Sequence, residues 1–188
     1  MVTGTTCNHE GKCMTTPNFS AAQTDTLDRI LGLKPGSLAF DTRHQRAKVV
    51  DATQASEDLL LGVPIEGLPV SERLLVALLA CALTPSSELH AEYAQRLRAN
   101  NIPESIIESV SQGKIEQIQD ERLKQILTFT HALITDPIKA DKQALLTLKA
   151  SGLTTAQITA LAQLIAFVSY QVRVSSGLKA LKAYGAQS

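Results

Sequence analysis

Residues 68–101 read LPVSERLLVALLACALTPSSELHAEYAQRLRANN. Positions 74–83 (LLVALLACAL) are apolar without a break. That run is well short of the about 20 residues needed to span a bilayer. A helix apolar on every side belongs in the middle of a core. Thr84-Pro85 then punctuates the chain: Thr84 is a candidate cap, and Pro85 suits a first helical position. The helix expected from Pro85 carries Ser86, Leu89, Tyr93 and Leu97 along one face, at steps of three and four. The expected centre is therefore a buried helix that turns a tight corner. Its successor presents Ser86, the neighbouring His90 and Tyr93 to whatever lies beyond its N-terminus.

On the N-terminal side, Ser20-x-x-Gln23 has the form of a capping box. It predicts a short helix with Leu27, Ile30 and Leu31 inward, stopped at Gly32. Lys34-Pro35-Gly36 reads as a turn. Residues 38–61 read as helix up to Gly62, and 63–68 as a loop. On the C-terminal side, a short helix is expected over 103–110. Another over 120–135 has Leu123, Ile126, Leu127 and Leu133 on one side and ends at Asp136-Pro137. A further helix is expected over 139–150. Thr154-x-x-Gln157, a second capping box, opens a last helix to about Ala183, with a bend expected near Ser175-Ser176-Gly177. No stretch alternates with period two over six residues. The expected fold class is all-α: a single-domain helical bundle over 20–188, behind a leader at 1–19 that has no periodicity and is expected to be flexible.

Composition removes several classes of function. The 188 residues suffice for one domain with a real core. Lys+Arg and Asp+Glu are both 18, which gives no electrostatic case for nucleic acid or an anionic membrane. No uninterrupted 18-residue apolar run occurs and no basic-then-apolar leader opens the chain, so neither a membrane span nor a signal peptide is expected, and a cytoplasmic location is. Cys7, Cys13 and Cys81 cannot all pair within one chain, and Cys81 sits inside the apolar run, where a thiol is inert. Cys7, His9 and Cys13 lack both a zinc spacing and a fourth ligand, so no metal is expected. The absence of a glycine-rich phosphate loop and of His-Glu-x-x-His leaves no cofactor expected.

The candidate catalytic residues are Ser86, His90 and Tyr93. His90 titrates near neutral pH and suits a general base, while Tyr93 and Ser86 bring hydroxyls to neighbouring turns. The helix N-terminus beside them favours a polarised ligand group, against which Glu88 works. Arg173, among apolar neighbours near Tyr170, needs an acceptor. His131, beside Phe129, reads as a buried or edge histidine. Glu72, opening the central helix, suits its dipole.

The central stretch resembles the core motif of the carboxymuconolactone decarboxylase and alkylhydroperoxidase D superfamily. The entry Ser71-Glu72-Arg73, the helix LLVALLACAL and the turn Thr84-Pro85 carry the likeness, and LDRILGLKPGSLAF (27–40) and AQLIAFVSYQVRVSSGLKAL (162–181) extend it. The resemblance implies the helical fold and a peroxidase-type dithiol site. The motif's two thiols would fall at Ser86 and Leu89, its histidine at Tyr93 and its relay glutamate at Leu74. All four carriers are replaced, which points to the subgroup without Cys-x-x-Cys. Members assemble as trimers or hexamers. A homo-oligomer is also expected from several helices with more than one apolar face. Two functions remain open. One is a peroxidase-related protein acting on a small metabolite by acid–base chemistry. The other is a non-catalytic oligomeric scaffold or small-molecule binding protein.

Overall fold

The computed structural model describes residues 25–186. The leader, the Ser20/Gln23 capping box and the Cys7, His9 and Cys13 group lie outside the described residues. Among the described residues the chain is all-helical. The helices are α1 (Thr26–Leu31), α2 (Leu38–His44), α3 (Ala47–Leu61), α4 (Val70–Leu83), α5 (Ser87–Ala99), α6 (Glu104–Ser111), α7 (Glu121–Thr135), α8 (Lys142–Ala150) and α9 (Thr155–Gly185). Two short 3₁₀ turns sit at Ile115–Gln117 and Pro137–Lys139.

The centre is where the sequence puts it. Every residue from Arg73 to Cys81 on α4 is buried, with Leu74, Val76, Leu78 and Leu79 at 0% exposure. Such a helix must be surrounded, and α3, α5, α6, α7 and α9 all pack against it. A second, smaller apolar cluster of Leu31, Leu33, Ala39 and Leu178 fastens α1 and α2 to the C-terminal part of α9. The capping box at Thr154 and Gln157 forms as expected, and Asp120 and Asp141 cap α7 and α8. Asp25 caps α1, and Gly32 ends it in the left-handed conformation.

Four details differ from expectation. The helix read over 38–61 breaks at Gln45-Arg46 into α2 and α3. Two demands pull it apart: Arg43 and His44 are bonded to Asp25 and Asp28 at the start of α1, whereas α3 packs along α4 and α9. The helix after the corner starts at Ser87, not Pro85. The Thr84 hydroxyl turns back to the Ala80 carbonyl at 2.6 Å and closes α4 instead of capping α5. The last helix runs on to Gly185, past the expected end near Ala183, and contains 175–177. By length and composition α9 could cross a membrane. A test for an unbroken apolar run misses it, because Gln163, Ser169 and Gln171 interrupt the pattern. Here its apolar residues Ile158, Leu161, Leu164, Val168 and Val172 join the core built on α4.

Arg73 has a role that its place beside Glu72 in the sequence conceals. Its side chain is 1% exposed and donates to three backbone carbonyls: Leu68 at 3.0 Å, Leu60 at 2.5 Å and Val63 at 2.7 Å. One guanidinium thus satisfies the end of α3 and the loop into α4, whose carbonyls have no helical partner. Burial lowers its pKa from the ordinary arginine value. Glu72 holds Arg122 of α7.

Leu78→Ala should cost about 2–5 kcal/mol, because a cavity opens in a site that cannot collapse. Arg73→Met should cost about 2–4 kcal/mol through carbonyls left unpaired. Urea unfolding measures both. A loss under about 0.5 kcal/mol in either case would contradict the central place given to α4 and its entry loop.

Candidate functional site

The polar residues that gather in this molecule do so on apolar stripes. On α3 the buried positions are Val50, Thr53, Glu57 and Leu61, at steps of three and four. On α9 Gln171 and Ser175 share the buried stripe with Leu164, Val168 and Leu178. Tyr93 lies on the buried face of α5 with Leu89 and Leu97. Packing these stripes together brings Glu57, Gln171 and Tyr93 into one chain of hydrogen bonds. The Tyr93 hydroxyl donates to Gln171 Oε1 at 2.6 Å, and Gln171 Nε2 donates to Glu57 Oε2 at 2.7 Å. The other Glu57 oxygen accepts from Thr26 at 3.1 Å and from Arg96 at 3.0 Å. Arg96 also reaches the Leu61 carbonyl at 3.1 Å.

The carboxylate of Glu57 is thus the acceptor at the end of every chain of donors. The residue is 3% exposed, and Gln171 and Tyr93 are fully buried. Desolvation is the largest influence on Glu57 and raises its pKa above the usual carboxylate value, although Gln171, Arg96 and Thr26 all pull the other way. Tyr93 is held in its neutral form: burial raises its pKa well above the ordinary phenol value, and the charge of Glu57 adds to this. On its outer side Glu57 forms part of the wall of a cleft of about 270 Å³, shared with Thr26, Arg29, Gln54, Glu92 and Arg96. Arg29 in that wall is paired with Glu92 at 2.6 Å. A proton acceptor with raised affinity therefore stands between a buried relay and an opening to solvent, with Arg96 beside it to hold negative charge.

The three residues singled out by sequence do not converge. Tyr93 joins the Glu57 chain. Ser86 precedes α5 as its N-cap residue and is 5% exposed, but its hydroxyl makes no capping bond and has no partner. His90 is half-buried; burial, then the charge of Arg98, lowers its pKa, so the ring is neutral at neutral pH. Among the described residues no side-chain hydrogen bond joins Ser86, His90 and Tyr93, and none of them lines the Glu57 cleft. Ser175, one turn beyond Gln171, is the other buried hydroxyl without a partner. His131 is exposed, its Nδ1 3.3 Å from the Thr135 hydroxyl. Arg173 finds its acceptor on its own helix, the Ser169 carbonyl at 2.7 Å. Cys81 is 1% exposed, and burial pushes its thiol up to about 12. No group of His, Cys, Asp or Glu among the described residues is arranged to hold a metal ion.

Glu57, Gln171 and Arg96 are absent from the sequence reading. A signal for the first two does exist: each is a polar residue at the register of a buried apolar stripe, where it must find a partner.

No protein-family profile matches the sequence, and no curated protein matches it. Among solved structures, the chain resembles the crystal structure of an alkylhydroperoxidase AhpD core, an uncharacterized peroxidase-related protein from Ralstonia eutropha JMP134. The TM-score is 0.65 at 21% sequence identity, over 84% of this chain and 85% of that one. The likeness establishes the fold: this chain has a single-domain all-α fold like that of the alkylhydroperoxidase AhpD core, as the sequence resemblance implies.

The raised pKa of Glu57 has a consequence for stability. A carboxyl that binds its proton more tightly when folded contributes most when protonated. That contribution is lost as pH rises from the unfolded value, near 4.5, through the raised folded value. In Glu57→Gln this loss disappears. The stability of wild type relative to Glu57→Gln should therefore fall from about pH 4 to about pH 7. Urea midpoints across that range check it, and a difference that rises or stays flat would show that Glu57 is not perturbed in this sense.

Proposed function

We propose that this protein is a peroxidase-related, alkylhydroperoxidase D-like protein with a degenerate, thiol-free core site, acting by acid–base chemistry on a small metabolite. The observation that carries the reading is Glu57: buried, raised in proton affinity, tied through Gln171 to Tyr93, and open on one side to a cleft. In this reading Glu57 Oε1 takes a proton from a substrate in the cleft and returns it. Arg96 steadies the negative charge that develops on the substrate. Gln171 and Tyr93 are positioning residues, fixing the carboxylate through its other oxygen. Of the residues proposed from sequence, Tyr93 keeps a role, His90 stands as a second, neutral base, and Ser86 supplies an unpartnered hydroxyl at the start of α5.

Dithiol peroxidase chemistry is not part of this reading. It needs a thiolate, a resolving thiol and a base. Ser86 and Leu89 occupy the thiol positions, a serine oxygen lacks the higher oxidation states of sulfur, and Cys81 stays protonated. The expected outcome with tert-butyl hydroperoxide and dithiothreitol is no turnover above buffer. Turnover that vanishes in Cys81→Ser would overturn the assignment. A positive test follows proton exchange in small lactones and oxo acids in deuterated buffer, by NMR. Activity should rise with pH through the raised pKa of Glu57, and fall about a hundredfold in Glu57→Gln. Loss in His90→Ala with Glu57→Gln unaffected would move the base to His90.

We further propose a homo-oligomer. Exposed apolar side chains support it: Leu59 and Val63 at the end of α3 are 58% and 46% exposed, and Ile138 is 88% exposed. Light scattering at micromolar concentration should give a multiple of the 20.2 kDa chain. A monomer mass would refute it.

A further inference from the structure

A second cleft lies between α2, α3 and α9, nearer the start of α3, and the proposed acid–base reaction does not use it. Its volume is about 660 Å³, within the about 300–1,000 Å³ of small-molecule sites. Its floor is apolar, built from Val50, Leu178 and Leu181, and the only hydroxyls of the α3–α9 seam on it are Thr53 and Tyr170. These two are 3.2 Å apart, and Thr53 gives its own proton to the Val49 carbonyl, so Tyr170 is the donor between them. The seam is closed and leaves no unpaired polar group on the floor.

The rim is charged with one sign. Arg43 and Arg46 line the cleft, and among the described residues no carboxylate does. The two arginines are not equivalent. Arg43 is committed to Asp25 at 2.6 Å and to Asp28 at 2.7 Å. Arg46 is exposed and its guanidinium has no ion-pair partner among the described residues. The Glu57 cleft differs, since both its arginines are paired with glutamates. One uncompensated positive charge therefore stands at the mouth of an apolar cleft.

A third feature concerns Gly177, which lies in the cleft wall inside α9. Glycine in a helix interior costs about 1 kcal/mol relative to alanine. No packing among the described residues requires it, because a Cβ at 177 would meet nothing there within 4 Å. Its effect is to leave open a volume that any side chain would fill.

We propose that this cleft binds a small amphipathic monoanion, a carboxylate on an apolar body, with the carboxylate at Arg46 and the body along Val50, Leu178 and Gly177. The single unpaired cation sets the charge of the ligand, and the apolar floor sets its body. The probe is dodecanoate, titrated calorimetrically below its micellar concentration against dodecanol and dodecyltrimethylammonium. Dodecanoate should bind once per chain, at least tenfold more tightly than either control. Arg46→Glu, an exposed substitution that leaves the core untouched, should weaken it at least tenfold. Gly177→Phe should abolish binding without lowering the melting temperature. The proposal is overturned if dodecanoate does not bind, if dodecanol binds as well, or if Arg46→Glu has no effect. Lower oligomer mass in Gly177→Phe would assign the cleft to a second copy of the chain and overturn it too.

Discussion

The desolvation of α4 on every side is the constraint from which the architecture follows. Residues 74–81 expose almost nothing to water. Each buried leucine there is worth about 1.5–3 kcal/mol only while some other helix covers it. Five helices supply that cover, and their order around α4 settles which surfaces meet one another. A helix with one apolar stripe can lie against a flat layer, but one apolar all round must be enclosed. Enclosure carries its own demand at the point of entry, where the chain leaves α3 and turns into α4 with carbonyls that no helix satisfies. Arg73 meets that demand from inside α4 itself, and so joins core and entry loop in a single side chain.

Enclosure also explains why the polar chain is where it is. Glu57, Gln171 and Tyr93 sit on three different helices that meet around the same core. A single buried carboxylate would be costly; one with three donors is tolerated, and its pKa still rises because desolvation outweighs them. The hydrogen bonds run one way, from Tyr93 to Gln171 to Glu57. The chain therefore has a defined acceptor end, and that end is beside the cleft. The donors hold Glu57 in place, while burial sets its appetite for a proton.

Much of the fold could be read from the residues. The unbroken run at 74–83, the corner at 84–86, the Thr154/Gln157 box and the stop at Asp136-Pro137 are local signals, and each appears in the structure close to its expected place. The break between α2 and α3 could not be read, because its cause is the pull of Asp25 and Asp28 on Arg43 and His44, residues distant in sequence. The candidate site was legible only at Tyr93. Attention to the motif positions on α5 drew the reading towards His90 and Ser86, residues defined by neighbours along the chain. Glu57 and Gln171 are 114 positions apart and are paired by packing alone. What the sequence does hold is their misfit, a glutamate and a glutamine on stripes otherwise apolar.

That misfit bears on how such a core can change its chemistry. In the resemblance, Tyr93 stands where the dithiol motif has its histidine, a residue that must exchange protons near neutral pH. A buried tyrosine cannot do so, since burial and the nearby carboxylate both hold its phenol neutral. It can donate a hydrogen bond, however, and here that bond goes to Gln171 and so bears on Glu57. On the proposed reading the proton-handling group lies on α3, and the α5 position supports it. Cys81 is kept protonated inside α4, while Glu57 is a buried carboxylate of raised proton affinity that borders a cleft.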